Sequence, residues 1–268
     1  MSESKKLSII IVAYRNMEHL EKCVASVYKK LVDFPSWEII IINNDENQSI
    51  SELNIDFSRI KIIEHQKNIG FGSGINLGAK IAEGEFLLIL NPDTEILSEN
   101  IGSVIGEFEK NNEIGIIGGG IVDGKNSWQQ WSAGKEISFF NLIKNNLGFH
   151  KSKSIWNNLK TTECDWVAGT AMFIRKKFFK EIGGFDGNFF MYFEDMDLCR
   201  RARKANKKII YFPGFKVLHE NGGSYMEEDQ FRQKRNYYDS LLYYFKKNRP
   251  KIEYAIINII KKFFFSKG

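Results

Sequence analysis

The sequence predicts an α/β fold, with a mostly parallel sheet flanked by helices. Three observations carry that expectation. Leu7–Tyr14, Ile39–Ile42 and Phe86–Leu90 are apolar runs without the alternation of a half-exposed strand, as expected of strands covered on both faces. Residues at helical spacing separate them, with Leu20, Val24, Val27 and Leu31 the clearest set. Two of the runs end in polar clusters, Asn43–Glu46 and Asn91–Glu95, at the strand edge where open α/β sheets bind ligands.

Taken in order, the first strand leads to Asn16, a candidate N-cap with Glu18 in the first helical turn. A second strand starts at Trp37 and a third at Ile60. The stretch Asn68–Gly78 then opens a helix running to about Ala82. Its glycines invite a dinucleotide reading, but position 77 is Leu and Gly78 falls one residue late, which argues against an NAD enzyme. Gly72 and its neighbours let either a ligand or the sheet approach closely, and Asn68 and Asn76 offer neutral amide contacts. Asn91-Pro92 breaks the strand Phe86–Leu90 and delivers Asp93 at its carboxyl end. An acid fixed there suits either a turn or a hard divalent cation shared with phosphate oxygens.

Ser98 is expected to cap a helix whose inward face is Ile101, Val104, Ile105 and Phe108. A short strand over 114–118 follows, with Gly118–Gly120 as a joint. Residues 121–163, polar and aperiodic, read as a variable loop with short helices over the cleft, whose Trp128, Trp131 and Trp156 either stack on sugars or pack beneath the loop. Order returns over 165–174, and a helix from Lys176 to about Ile182 is closed by Gly183-Gly184. An aromatic wall, Phe185–Phe193, precedes Glu194 and Asp195 at the start of a helix with Cys199, Ala202 and Ala205 on one face. Acids at that position either cap the helix or serve as a general base. Two short strands bent at Pro213-Gly214 are expected over 211–219.

Composition is that of a globular protein, 43% hydrophobic and 26% charged, long enough for one large domain. Three scattered cysteines suggest neither a disulfide framework nor a zinc knuckle. The basicity sits at one end. Residues 232–268 hold ten Lys/Arg against two acids, a local +8 in a chain of net +5, so the preceding 231 residues carry −3. A nucleic-acid partner is therefore not expected. The tail reads as a basic, aromatic helix pair for the inner membrane surface, with packing on its own domain or a homodimer interface as the alternatives. The start shows no signal peptide and no apolar run reaches spanning length, so a cytoplasmic protein, peripheral on the inner face of the cell membrane, is expected.

The motifs Ala-Tyr-Arg, Ile-Ile-Asn-Asn-Asp, Asn-Ile-Gly-Phe-Gly-Ser-Gly-Ile-Asn, Leu-Asn-Pro-Asp-Thr, Gly-Gly-Phe-Asp, Phe-Met-Tyr-Phe-Glu-Asp-Met-Asp-Leu-Cys and Val-Leu-His-Glu follow in an order that resembles glycosyltransferase family 2, in its rhamnosyltransferase-like branch. The resemblance spans roughly residues 6–245. It implies a GT-A fold with a Rossmann-like sheet and a small antiparallel acceptor-side part. It also implies inverting transfer from a nucleotide-sugar donor, with dTDP-rhamnose preferred, to a glycan or lipid-linked acceptor in cell-surface polysaccharide synthesis. Residues 1–120 would form the nucleotide-sugar half, 121–230 the acceptor-side and catalytic half, and 231–268 the tail. Residue by residue, Asp93 matches the acid that holds Mg²⁺ or Mn²⁺, with His219 beside the metal. Asn91 stands where many relatives carry a second acid. Asp195 matches the catalytic base and Glu194 orients the acceptor. Ala13, Tyr14, Arg15 and Asn44 would border the nucleotide, with Asp45, Asn68, Gly72, Asn76 and Asn91 on the same side. Trp166, Gly169, Thr170 and Tyr192 fall to the acceptor. Asn43 replaces an expected Asp, and a degenerate nucleotide-sugar or carbohydrate binding module is the alternative.

Overall fold

The computed structural model describes residues 6–15, 17–65, 67–146, 153–219 and 227–265. The first strand, β1 (Leu7–Ala13), is buried at every position, and so are β2 (Trp37–Asn43) and β4 (Phe86–Leu90). With β3 (Ile60–Glu64) they form a parallel block in the order β3-β2-β1-β4. The absence of polar alternation is explained by helices on both faces. Ile9, Ile11, Ile39, Ile41 and Leu88 pack beneath α1 (Met17–Lys30) and α3 (Ile101–Lys110). Ile10, Val12, Ile40, Ile42 and Ile89 face α2 (Phe71–Ile81), α6 (Lys176–Glu181) and α7 (Glu194–Lys204).

The sheet continues past β4 by an antiparallel insertion. β10 (Ala171–Arg175) pairs antiparallel with both β4 and β6 (Ile114–Val122), and β11 (Lys208–His219) follows parallel to β6. β5 (Thr94–Ile96) closes the far edge, while β8 (Thr162–Cys164) branches from β11. A separate pair, β7 (Ala133–Gly134) with β9 (Trp166–Val167), is the small antiparallel part. The short helices expected between 121 and 163 are α4 (Phe139–Asn146) and α5 (Lys153–Trp156).

Four local expectations differ. Gly118–Gly120 is no joint but the middle of the nine-residue β6. A Cβ at these glycines would meet Val167, Phe215 and Trp128 at 2.4–2.7 Å, so neighbouring side chains fill the space that β6 leaves. Residues 211–219 are not two strands but part of one, beginning at Lys208 and bulging between Phe212 and Lys216. Ser98 does not cap α3; its Oγ accepts from the Lys216 amide at 2.9 Å, across the sheet edge. Ala205 is not on the buried face of α7 but exposed at its C-cap, and Leu198 joins Cys199 and Ala202 instead. The cap proposed at Asn16 lies outside the described residues.

The tail forms α8 (Glu227–Asn248) and α9 (Lys251–Phe265). Leu241, Tyr244, Phe245 and Ile257 bury against Ile137, Phe189 and Phe193, so one face of the pair packs on its own domain. Among the described residues no helix is long and apolar enough to cross a membrane. The three cysteines are free and buried.

Candidate active site

A cleft of about 810 Å³ opens at the carboxyl edge of β1, β2 and β4. Its wall holds the polar residues Tyr14, Asn44, Asn68, Asn91, Asp93 and His219 together with aromatic ones, Phe71, Trp131, Trp166, Tyr192, Phe193 and Tyr237 among them. Glu194 and Asp195 line it from the first turn of α7. The sequence-predicted carboxylates at 93 and 195, from different elements, thus face one space.

Asp195 is anchored rather than loose. Its Oδ2 accepts from the Gly169 amide at 3.1 Å and its Oδ1 from the Met196 amide at 2.7 Å. Burial nevertheless pushes the Asp195 carboxyl up, against these hydrogen bonds. Burial raises Glu194 as well, and the adjacent Asp195 charge adds to it. Glu194 is 6% exposed and its Oε2 has no hydrogen-bond partner among the described residues. A buried acceptor left unmade is costly, so the atom is suited to a ligand hydroxyl. The contrast is Glu38 at the opposite sheet edge, equally buried but held by Ser8 Oγ, the Glu83 amide and Lys61, and therefore structural. The segment before α7 is strained: Tyr192 and Phe193 take left-handed φ values of 73° and 65°, which side-chain-bearing residues adopt at a cost.

At the other end, His219 Nε2 lies 3.2 Å from Asp93 Oδ1, while its Nδ1 meets Gln129 Oε1 at 2.8 Å. With Nδ1–H donating to Gln129, Nε2 turns to Asp93 and the gap takes a proton or a cation. Among the described residues no group of three or more His, Cys, Asp or Glu could hold a metal ion. The Asp93–His219 pair is nevertheless a fitting donor set for a divalent cation that draws its other oxygens from a diphosphate. The described wall holds three carboxylates and no Lys or Arg.

The neutral residues divide. Asn44 is 2% exposed and lines the cleft; its Nδ2 donates to Asn68 Oδ1 and Gly70 O, and its Oδ1 has no partner among the described residues. Asn43 is consumed internally, donating to Gln48 O and Glu64 and accepting from the Asp45 amide, and Asp45 closes a turn on Asn47. Neither lines the cleft. Ala13 is buried in the sheet and Arg15 stacks over Tyr14 at 5.0 Å. Asn76 does not reach the cleft wall, because its amide is spent on both backbone groups of Phe185. Gly72 likewise packs on Phe185, with 2.9 Å from a hypothetical Cβ to Phe185 Cβ, leaving room for protein rather than ligand. Asn91 and Thr170 share a hydrogen bond of 3.4 Å on the wall, and Trp166, Gly169 and Tyr192 line the cleft as well. Sequence reasoning missed His19, Gln233 and Tyr237; only the aromatic run around Tyr237 carried a signal.

A parallel nucleotide-type sheet with an antiparallel extension and a cleft at its carboxyl edge is the architecture of the GT-A fold. The chain belongs to glycosyl transferase family 2, whose family model matches residues 8–183. It is 26% identical over 224 residues to the rhamnosyltransferase WbbL of Escherichia coli K12, covering 79% of this chain and 82% of the relative. To the N-acetylglucosaminyl-diphospho-decaprenol L-rhamnosyltransferase of Mycobacterium tuberculosis it is 23% identical, with 81% and 77% covered. To the low-salt glycan biosynthesis hexosyltransferase Agl10 of Haloferax volcanii it is 27% identical, with 95% and 81% covered. Among solved structures, GalNAc-T7 with UDP, GalNAc and Mn²⁺ superposes with a TM-score of 0.61 at 17% identity, over 83% of this chain and 44% of that one. Staphylococcus aureus TarS gives 0.58 at 15% identity, over 91% and 72%. The protein is a glycosyltransferase, and the binding-module alternative is not favoured.

Proposed function

We propose that the protein transfers a sugar from a nucleoside diphosphate donor to a hydroxyl of a glycan or lipid-linked acceptor, with inversion, and that the donor is dTDP-rhamnose. One observation carries the reading: Asp195 and the Asp93–His219 pair face the same cleft from different elements. Two relatives named as rhamnosyltransferases support the sugar, one of them acting on a diphospho-decaprenol acceptor. In this reading residues 1–120 form the donor half, 121–230 the acceptor half and 231–268 the tail.

Asp93 and His219 would hold Mg²⁺ or Mn²⁺, which when bound neutralises the charge that develops on the departing diphosphate. Asn44 Oδ1 takes the imino N–H of thymine or uracil, with Asn68 fixing the amide, while Tyr14 borders the base. The Gly169 and Met196 amides aim Asp195 at the acceptor hydroxyl, whose proton it accepts as the sugar carbon is attacked. Glu194 Oε2 orients a neighbouring hydroxyl. The tail is assigned to the inner membrane surface from its outer face, where Phe231, Ile252 and Ile259 are 55–71% exposed among exposed Arg232, Lys234, Arg235 and Lys251.

Asp195→Asn tests the base. Transfer of rhamnose from dTDP-rhamnose, followed by mass spectrometry, should fall by about 10² to 10⁴ while the donor still binds. Transfer retained within tenfold, or donor binding lost with it, counts against the role.

A further inference from the structure

We infer that α8, which lies beyond the family-matched residues 8–183, completes the acceptor site, with Gln233 and Tyr237 reading a neutral sugar ring of the acceptor. The inference rests on the transferase reading for the word acceptor, and on geometry for the ring.

α8 does two things at once. Its C-terminal half is fastened to the segment that carries Asp195. Ser240 Oγ donates to Met191 O at 2.7 Å, Tyr243 to Asp186 at 3.0 Å, and Lys247 to Asp186 and to the fully buried Asp197 at 2.7 and 2.9 Å. Its N-terminal half turns Gln233 and Tyr237 onto the cleft. Tyr237 meets the strained pair before Asp195 edge-on and tilted, at 5.9 Å from Tyr192 and 5.2 Å from Phe193. The helix is therefore fixed relative to the base, which a residue setting acceptor geometry requires.

The chemistry of the wall selects its occupant. Tyr237 and Trp131 both line it and remain 38% and 40% exposed, so aromatic surface is held out to the cleft. Gln233 brings a neutral amide to the wall, and no Lys or Arg of the described residues joins it. Aromatic faces with one uncharged donor and acceptor match a pyranose, whose C–H face stacks while its hydroxyls bond. An isoprenoid chain in the same place would strip water from the Gln233 amide without replacing it.

The test uses the whole chain and four octyl glycosides below their micellar concentration: glucoside, galactoside, mannoside and N-acetylglucosaminide, titrated by calorimetry with dTDP and Mn²⁺ present. At least one should bind saturably to wild type. Tyr237→Ala should weaken it tenfold or more, Tyr237→Phe should stay within twofold, and Gln233→Ala should change the rank order of the four. The affinity for dTDP with Mn²⁺, measured alone, should be the same in all variants. No saturable binding of any glycoside to wild type, or Tyr237→Ala binding as wild type does, overturns the assignment. Failure of dTDP, UDP and GDP to bind wild type, with glycoside binding intact, instead overturns the donor reading.

Discussion

Replacing Asp197 with alanine should loosen the attachment of the tail to α7, by an amount the structure allows to be estimated. The Asp197 carboxylate is fully buried and accepts from Arg201 Nε at 2.8 Å, Lys247 Nζ at 2.9 Å and Asn248 Nδ2 at 3.0 Å. Removing one member of a buried charge set typically costs about 3–5 kcal/mol. Two features pull the figure to the lower end. The Arg201 and Lys247 side chains are 22% and 31% exposed, so water takes over part of their solvation, and Lys247 keeps its bond to Asp186. About 3 kcal/mol is therefore expected, which for a domain near this size lowers Tm by roughly 6–12 °C. Differential scanning calorimetry measures it, and limited proteolysis should cut between the domain and α8 sooner than in wild type. Lys247→Met supplies a pH signature. Although burial pushes Asp186 up, bonds from Lys247, Asn188 and Tyr243 hold it well below the usual carboxylate range. A depressed carboxyl stabilises the fold above its unfolded value near 4 and loses that contribution as pH falls. Lys247→Met should thus flatten the decline in Tm between pH 5 and 3. A Tm drop under about 2 °C in Asp197→Ala, or an unchanged acid slope in Lys247→Met, refutes this account of the latch.

Other expectations follow from the same geometry. Burial raises the Asp195 carboxyl, and burial together with the Asp195 charge raises Glu194, so the acid limb of the transfer rate should lie above the ordinary carboxylate range; a limb within that range in the rate profile argues against a buried base. Gly118→Val adds volume where Val167 already lies within 2.4 Å of a Cβ, and should cost about 1–3 kcal/mol in urea unfolding; an unchanged midpoint contradicts the packing of β6. Flotation with anionic liposomes at low salt should carry wild type upward, and Phe231→Ser with Ile252→Ser should reduce it. No flotation removes the membrane role of the tail, and a concentration-dependent mass in its place assigns that face to a second copy.

What the sequence made legible was local in origin. β1, β2 and β4 announce themselves because burial on both faces removes alternation, and Asp93 is placed by the proline that ends β4. Glu194 and Asp195 begin a helix as their spacing from Cys199 implies. What escaped was settled by distant partners. The triple glycine of β6 reads as a breaker because the side chains that complete it, Trp128, Val167 and Phe215, come from other strands and loops. The insertion of β10 between β4 and β6 joins segments some eighty residues apart, a pairing no local pattern encodes. Asn76 looked like a ligand contact because its partner, Phe185, is 109 residues away. Asn44 is one of four neighbouring polar residues in sequence, Asn43–Glu46, and the hydrogen bonds that Asn43 and Asp45 make elsewhere help to single it out. Gln233 and Tyr237 lay in a tail whose composition spoke of surfaces rather than of the cleft.

The measurement closest to the central claim is a thermal-shift titration of dTDP-, UDP- and GDP-sugars, with and without Mn²⁺, on wild type and Asp93→Ala. A ligand that binds only the folded state raises Tm with its concentration. The account predicts that dTDP-rhamnose stabilises wild type in the presence of Mn²⁺, far less without it, and that Asp93→Ala removes the metal-dependent part. Stabilisation by no nucleotide under any condition, or an equal shift in the Asp93→Ala protein, contradicts it.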